Sequence, residues 1–216
     1  IKIDTSEKDH YDNEYDREIL TRTAGNNDYK IINIKTGITK GYLIAIYDPT
    51  KVRLIRAKNF NVGSYGEQVT AMCNRYGGLV CINGGGFVDH GTGSDIPLGY
   101  VIENEEIVWP LTNHDTQRGN LIGFNKKGKL LLLSNATGEE ALEKGMTDGL
   151  EFGPFLIVNG KSLEIVGDPW GRSPRVAIAQ RKDGVVLFLV FDGENYINGA
   201  SMSDMLEILE KYGAYN

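Results

Sequence analysis

The sequence predicts an α+β fold, with a mixed or antiparallel β-sheet core and a few flanking helices. Apolar, β-branched segments outnumber amphipathic helical segments by about three to one. They occur in hairpin-like runs rather than in the regular βαβ alternation of doubly wound proteins. The 27 glycines among the 216 residues have no collagen-like period, which favours a strand-rich fold with many turns.

Residues 1–27 are polar and charged, and they are predicted to form an N-terminal arm before a main domain of residues 28–216. Within the arm, residues 12–23 have the pattern of an amphipathic helix. Its inward face would carry Tyr15, Ile19 and Leu20.

Three β-branched segments separated by turn sequences follow the arm, and each predicts a strand. They comprise residues 29–34, 42–47 and 52–57. Next, Ser64 and Glu67 have the capping-box pattern of a helix that runs to about Tyr76. Positions i, i+3, i+4 and i+7 of that helix predict one buried stripe. Its members are Val69, Met72, Cys73 and Tyr76.

The second half of the chain predicts two hairpins, three strands and two helices. The hairpins pair residues 100–102 with 107–109, and 121–124 with 130–133. The strands are residues 152–158, closed by an Asn-Gly turn, then 175–180 and 185–191. The helices run from Thr137 through Lys144, and from near Ser201 with Met205, Ile208, Leu209 and Tyr212 inward. Seven uninterrupted apolar residues at 185–191 indicate a central strand that is covered on both faces.

Residues 79–99 are the most distinctive segment, because an apolar run leads into consecutive glycines and then a polar loop. Residues 79–82 predict a short buried strand. It is followed by Asn83, Gly84, Gly85 and Gly86. Adjacent glycines are tolerated where the backbone needs positive φ or approaches another group closely. Asp89 and His90 follow in the polar loop, so the segment indicates a binding site. A simple chain reversal and a solvated loop histidine are the alternatives.

Several classes of function are excluded or weakened by the composition. The glycines are not followed by the Lys-Ser or Lys-Thr of a P-loop, and they do not open a helix as a dinucleotide fingerprint does. A net charge of −6 without a polybasic run argues against nucleic-acid binding. The three histidines lack zinc-site spacing. No cofactor is predicted with certainty; Ca²⁺ is possible, with Asp89, Asp95 and Asp115 as oxygen donors, although EF-hand spacing is absent.

Cys73 and Cys81 do not form a metal motif, and both lie in apolar sequence. Free buried thiols are therefore expected in preference to a bridge. No segment approaches the roughly 20 apolar residues of a membrane span. Because the chain begins at Ile1 rather than Met, we expect any targeting segment to have been removed.

Polar side chains stand at the ends of three predicted strands: Asn83, Arg175 and Asp192. Clefts are commonly built from such positions, so we expect the three to share one pocket. The planar fork of Arg175 suits a bidentate contact to phosphate or carboxylate, and an ion pair with a neighbouring Asp is the alternative. For Asp192 the alternative is an ordinary Asp-Gly turn.

The ordered motifs resemble the phosphodiester glycosidase family, and most closely its bacterial members associated with exopolysaccharide biosynthesis. The matching stretches are residues 82–87 with Asp89, 97–102, 152–160, 174–175 with Gln180, 183–184, 191–193 and 211–216. Val176 and Ala179 depart from the Arg-Thr-Ala-Ile-Gly sequence that is usual in the family. The family pattern also continues past Asn216 into a strand with an Asn-Leu-Asp-Gly-Gly-Ser signature. We therefore expect residues 28–216 to lack the C-terminal strand of the family's domain.

The resemblance implies hydrolysis of a sugar-1-phosphodiester at the anomeric carbon, in cell-envelope or exopolysaccharide metabolism. By this resemblance Arg175 binds the phosphate, Asp192 acts as base or stabilising carboxylate, and Asn83 orients the substrate. Substrate contacts are implied for Gly84, Gly85, Gly86, Asp89, His90, Gly153 and Gln180. The implied partner is a sugar phosphate or glycan, not nucleic acid. The implied location is extracytoplasmic, either secreted or held by a membrane anchor outside this chain.

Two other functions stay open from the sequence. One is a non-catalytic envelope domain that binds glycan phosphodiesters or supports polymer assembly. The other is a metal-dependent phosphodiesterase that uses Asp89, Asp95 and Asp192.

Overall fold

The computed structural model describes residues 1–58, 66–89, 94–110, 118–167, 170–193 and 199–216, with the side chains of 88–89 and 94–96 left out. The chain divides into two compact units. The first unit contains residues 1–51 and 155–216, and the second contains residues 52–154. In the described ranges, no helix has the length and apolar character needed to cross a lipid bilayer.

Four α-helices and thirteen strands are present in the described residues. The helices are α1 (Glu14–Leu20), α2 (Val69–Tyr76), α3 (Gly138–Glu143) and α4 (Met202–Lys211). The first eight strands are β1 (Tyr29–Thr36), β2 (Thr39–Ile46), β3 (Gly86–Asp89), β4 (Ser94–Leu98), β5 (Val101–Glu103), β6 (Glu106–Trp109), β7 (Gly119–Asn125) and β8 (Leu130–Ala136). The remaining five are β9 (Met146–Glu151), β10 (Ile157–Val158), β11 (Lys161–Ser162), β12 (Arg175–Gln180) and β13 (Val186–Phe191).

The first unit is built on an antiparallel sheet with strand order β1-β2-β13-β12. The apolar run in β13 lies between two strands, and most of its side chains are buried, so the prediction of a central strand is confirmed. α1 and α4 contribute Ile19, Leu20, Met205 and Leu209 to the hydrophobic core that includes Leu187 and Leu189 of β13. α4 starts near Ser201, as predicted, with a capping box in which Ser201 and Asp204 bind each other's backbone N–H groups.

Residues near the N-terminus pack within this first unit. The predicted helix is present but shorter, because Asn13 caps it by accepting a hydrogen bond from the Asp16 backbone N–H. Asp16 forms a buried ion pair with Arg181, which also pairs with Asp183 at 2.9 Å. Because breaking one partner of a buried pair leaves an uncompensated charge, these contacts tie α1 to the end of β12.

The second unit contains an antiparallel sheet with strand order β6-β5-β9-β7-β8 and a separate β3–β4 hairpin. Both hairpins predicted for this region, β5–β6 and β7–β8, are confirmed. The helix predicted to start at Thr137 is present as α3, and Thr137 and Glu140 form a complete capping box at its start. Antiparallel sheets with four helices confirm the α+β class.

Three predicted strands are wrong. Residues 52–57 form no strand; this segment is held by other contacts, including the Leu54 N–H on Asp148 and an ion pair between Arg56 and Glu103. Residues 79–82 also form no strand, and Leu79 is 68% exposed. Only Ile157–Val158 of the predicted 152–158 segment is a strand. The strand that pairs with β7 is instead β9, which comes earlier in the chain and which the sequence did not indicate.

Two further expectations about residues 64–81 are corrected. Cys73 and Cys81 form a disulfide and are not free thiols. α2 begins at Val69 after Gln68, and Glu67 contacts Arg75 and the Lys58 N–H instead of capping the helix; Ser64 lies outside the described residues. The predicted stripe on α2 is not buried, and Tyr76 is 49% exposed. The helix is held by the Cys73–Cys81 bridge and the Glu67–Arg75 ion pair rather than by burial of an apolar face.

Candidate functional site

In the first unit, the predicted phosphate ligand and the predicted carboxylate lie at the same end of neighbouring strands. Arg175 begins β12 and lies opposite Phe191, the last residue of β13. Asp192 follows directly and is exposed. Its backbone N–H donates to the Lys40 carbonyl oxygen at 3.0 Å. The antiparallel register therefore brings Arg175 and Asp192 to one sheet edge.

The guanidinium of Arg175 contacts three backbone carbonyl oxygens. Its Nε donates to Ala200 at 2.9 Å, and its Nη2 donates to Gly171 at 2.7 Å and to Trp170 at 3.2 Å. Among the described residues no acidic side chain forms an ion pair with Arg175, so the sequence alternative of an Asp partner is not what holds it. The guanidinium is instead oriented by loop carbonyls, which fix its plane.

Close backbone packing shapes the same sheet edge. A Cβ placed on Gly193 would lie 2.5 Å from Pro174, which precedes Arg175. A larger residue at 193 would therefore push the two strand ends apart. The glycine of the Asp192-Gly193 pair therefore serves close packing against Pro174 as well as the turn after β13.

Gln180 lies at the other end of β12 from Arg175, roughly 16 Å away at about 3.3 Å per residue. Its side chain is fully buried, and Nε2 donates to the Gly184 carbonyl oxygen at 2.9 Å. The structure therefore gives Gln180 a packing environment and does not bring it together with Arg175 and Asp192.

In the second unit, the glycine turn packs against residues that line a pocket. A Cβ on Gly86 would lie 3.0 Å from Leu98 and 3.3 Å from Phe152, and a Cβ on Gly84 would lie 2.8 Å from Leu150. Gly85 has φ of +66°, in the left-handed region that side chains disfavour. The triple glycine is thus required both for close approach and for backbone conformation. Asn83, which precedes it, is exposed.

The pocket beside this turn has a volume of about 420 Å³. It is lined by Leu98, Arg118, Gly119, Asn120, Asn135, Glu151, Phe152 and Gly153. We call this set the Glu151 pocket. It contains the predicted Gly153, but the sequence did not single out its polar side chains. Their convergence depends on the register of β7 against β9, which pairs Leu121 with Glu151.

The cationic side chain of the Glu151 pocket, Arg118, forms an ion pair with Glu140. Arg118 donates from Nε to the Asn135 carbonyl oxygen at 2.8 Å and from Nη2 to Glu140 at 2.7 Å. A hydrogen bond from the Thr137 backbone N–H, together with Arg118, lowers the pKa of Glu140 below its ordinary value. Glu140 therefore stays ionised and balances the charge of Arg118. Glu151 then contributes a further carboxylate to the pocket wall.

Other predicted site residues fall outside what the structure describes. His90 and Asp115 lie in undescribed segments, and the side chains of Asp89 and Asp95 are not described. Within the described part of the chain, no three His, Cys, Asp or Glu side chains are grouped so that they could hold a metal ion. The proposals for Ca²⁺ and for a metal-dependent reaction therefore stay predictions. Asn83 lies in the second unit and Arg175 and Asp192 in the first, and the single shared pocket stays a prediction as well.

The helices and antiparallel sheets of the described residues define a protein of the α+β class. Residues 76–216 match the family model described as phosphodiester glycosidase, so the chain belongs to the phosphodiester glycosidase family. No protein of curated function matches the sequence significantly.

Two solved structures share the fold at low sequence identity. The catalytic domain of zebrafish N-acetylglucosamine-1-phosphodiester alpha-N-acetylglucosaminidase, auto-inhibited by its pro-peptide, matches with a TM-score of 0.66 and 17% identity, over 88% of this chain and 68% of that one. A hypothetical protein from Synechocystis matches with a TM-score of 0.64 and 15% identity, over 87% of this chain and 54% of that one. These likenesses support the fold.

Proposed function

We propose that this protein hydrolyses a sugar-1-phosphodiester at the anomeric carbon. The observation that carries the proposal is the family match over residues 76–216, which includes Asn83, the glycine turn, Arg175 and Asp192. In the reaction, the bond between C1 and the bridging oxygen breaks, and the bridging oxygen leaves with its electron pair as part of a phosphomonoester. A water molecule supplies the new oxygen on C1 and loses its proton.

The side chains at the Arg175 edge suit this chemistry. A carbonyl-oriented guanidinium provides a fixed cationic contact for the phosphate through Nη1, because its Nε and Nη2 N–H groups already donate to backbone carbonyl oxygens. A carboxylate such as Asp192 stabilises positive charge that develops at C1, or removes the proton from the attacking water. Because a phosphomonoester is already a good leaving group, this mechanism does not need a strong general acid. The backbone N–H groups of Gly84, Gly85 and Gly86, with Asn83, would orient the substrate.

The proposed setting is the cell envelope, where the protein would act in exopolysaccharide metabolism as a secreted or membrane-anchored protein. The Cys73–Cys81 disulfide supports this setting, since structural disulfides form and persist mainly in oxidising compartments. No cofactor is proposed as a requirement; bound Ca²⁺ is kept as a testable addition.

Oxygen-18 labelling provides the direct test. The probe is the methyl ester of α-N-acetylglucosamine-1-phosphate, chosen because the zebrafish enzyme of similar fold is named for that linkage. In H₂¹⁸O the expected products are ¹⁸O-labelled sugar and unlabelled methyl phosphate. Label in the phosphate would show P–O cleavage and support the phosphodiesterase alternative, whereas loss of turnover in EDTA with the label still in the sugar would show that the glycosidase needs a metal ion. Binding without hydrolysis would support a non-catalytic domain.

Two variants test the assigned roles. Asp192→Asn is expected to reduce kcat by about 100-fold or more, because the neutral amide no longer accepts the proton or stabilises the cation. Arg175→Lys keeps the charge but loses the planar guanidinium that the carbonyl oxygens orient, so turnover should fall as well. Glu164→Gln, which changes an exposed carboxylate in the same unit, serves as control and should leave turnover unchanged. Unchanged turnover in Asp192→Asn would remove that residue from the mechanism.

A further inference from the structure

The Glu151 pocket is a cleft that the roles proposed for Arg175 and Asp192 do not explain. We propose that it binds the glycosyl group of the substrate, with Glu151 accepting a hydrogen bond from a sugar hydroxyl. This inference rests on the proposed function for the identity of the substrate. It rests on the geometry of the second unit for the location of the sugar.

The carboxylate of Glu151 is held in a position cleared for it on both sides. A Cβ on Gly119 would overlap its Cδ atom, and a Cβ on Gly99 would overlap Oε2. The Tyr100 backbone N–H donates to Oε2 at 3.3 Å. Two glycines therefore leave space for one carboxylate, and a backbone donor orients it. Glu151 is half-buried, so its oxygen atoms are fixed without being sealed from a ligand.

Asn120 supplies a donor to complement this acceptor. Its Oδ1 accepts hydrogen bonds from the Ser134 hydroxyl at 3.1 Å and from the Asn135 N–H at 3.4 Å. Since the oxygen is used in this way, the amide is oriented with Nδ2 toward Gly153, where a Cβ would lie 3.5 Å from it. A sugar hydroxyl both donates and accepts, and the pocket contains a partner for each role.

The apolar part of the pocket suits the C–H face of a pyranose ring. Leu98 and Phe152 are 51% and 52% exposed, which is unusual for large apolar side chains in one pocket wall. Both lie close to Gly86, where a Cβ would be 3.0 Å from Leu98 and 3.3 Å from Phe152, so the glycine turn limits their positions. Most of the exposed lining of the pocket is polar, which suits the hydroxyl groups of a sugar, and its volume of about 420 Å³ lies within the usual range of about 300–1,000 Å³ for small-molecule sites.

The charge balance favours a neutral sugar over a phosphate in this pocket. Arg118 is already paired with Glu140 at 2.7 Å, and among the described residues no ion pair is formed by Glu151. An anion placed beside Glu151 would be repelled. A neutral sugar hydroxyl is therefore the favoured partner for this carboxylate.

Direct binding measurements test the inference without requiring catalysis. ¹⁵N-labelled protein is titrated with the methyl α-glycosides of glucose, galactose and N-acetylglucosamine, and separately with inorganic phosphate. At least one glycoside is expected to shift the amide signals of Gly119 and Gly153 in a saturable way. Phosphate should not compete. If no glycoside shifts these signals, or if phosphate displaces the sugar from them, the inference is overturned.

Variants connect the pocket to a specific residue. Glu151→Gln is expected to weaken glycoside binding by about 5- to 10-fold, because a charge-assisted hydrogen bond becomes a neutral one. Gly119→Ala should weaken it too, by displacing the carboxylate. Glu106→Gln, which changes an exposed carboxylate of the same unit, is the control and should bind normally. Equal affinity in Glu151→Gln, with an unchanged urea midpoint showing a folded protein, would contradict the assignment.

Kinetics separate failure of this inference from failure of the proposed function. If both hold, Glu151→Gln raises KM for the methyl phosphodiester with little change in kcat, because the contact is made equally in the ground and transition states. Hydrolysis with an unchanged KM in Glu151→Gln would reject the sugar pocket and keep the function. Sugar binding at Gly119 and Gly153 without hydrolysis would keep the pocket and reject the function.

Discussion

Arg175 donates a hydrogen bond from Nε to the backbone carbonyl oxygen of Ala200 at 2.9 Å, and this contact joins the start of β12 to the segment that caps α4. Ser173 and Ala200 also form an isolated antiparallel bridge beside it. The side chain proposed to bind phosphate thus also holds its own surroundings together. Changes at residue 175 must therefore be measured for stability as well as for activity.

We predict that Arg175→Ala lowers the free energy of unfolding by about 1–3 kcal/mol, because carbonyl groups of Trp170, Gly171 and Ala200 lose their donor. Arg175→Lys should lower the free energy of unfolding by less, since an ammonium group still reaches some of these carbonyl groups. Urea unfolding followed by circular dichroism measures both. The control Lys161→Ala changes an exposed lysine in the same unit and should stay within about 0.5 kcal/mol of wild type. If Arg175→Ala matches that control, these hydrogen bonds do not stabilise the fold.

The elements that the sequence predicted well are those whose signals are local. Ser201 with Asp204, and Thr137 with Glu140, form capping boxes at three-residue spacing, and both helices start where that pattern places them. The uninterrupted apolar run of β13 indicated a central strand because a strand covered on both faces has no polar side to alternate. In each case one short segment contains the whole signal.

The expectations that failed depend on contacts between distant or strongly bent segments. Cys73 and Cys81 come together because Gly77 ends α2 in the left-handed conformation, and Gly78 lies against both sulfur atoms. A Cβ at 78 would lie 2.7 Å from one sulfur and 2.8 Å from the other. Spacing alone does not reveal this reversal. The removal of Glu67 from the helix cap by Arg75 is similarly a tertiary effect.

The candidate site was predicted in part for the same reason. Motif order pointed to Arg175, Asp192, Gly153 and the glycine turn, and adjacent strand ends bring the first two together. Glu151 and Asn120 enter their pocket through the pairing of β7 with β9, and β9 itself lacks the β-branched composition that marks a strand. A residue whose role arises from non-local register leaves no pattern in a single sequence.

We predict that the Cys73–Cys81 bridge is quantitatively formed and stabilises the second unit. Thiol titration of the denatured, unreduced protein should give no free thiols, and two should appear after reduction. The free energy of unfolding of the Cys73→Ser/Cys81→Ser double variant should be lower by about 2–3 kcal/mol, because a bridge between residues eight apart restricts a short loop of the unfolded chain. Thermal unfolding with and without reductant measures this. Free thiols in the unreduced protein would contradict the bridge.

We predict that the glycine turn tolerates side chains poorly at two positions for different reasons. Gly85→Ala should destabilise by about 1–2 kcal/mol through left-handed strain, since a Cβ there has space. Gly86→Ala should instead displace Leu98 or Phe152 and weaken glycoside binding while the fold is retained. Chemical denaturation and the sugar titration distinguish these effects. Gly25→Ala, with φ of +79° and open space around its Cβ, is the strain control in the first unit and should leave sugar binding unchanged.

We predict that Asp204 makes part of the stability dependent on pH. Burial acts to raise its pKa, but hydrogen bonds from Ser201 and Thr36 and the charge of Arg172 outweigh it and lower the pKa below its ordinary 3.8. Because the folded pKa is the lower one, the stabilisation is present above pH 3.8 and is lost as the pH falls through the folded pKa. Asp204→Asn should therefore cost about 1 kcal/mol at neutral pH, and progressively less below about pH 4. Urea midpoints of both proteins at several pH values give this difference, and a difference independent of pH would show that the carboxylate charge is not the cause.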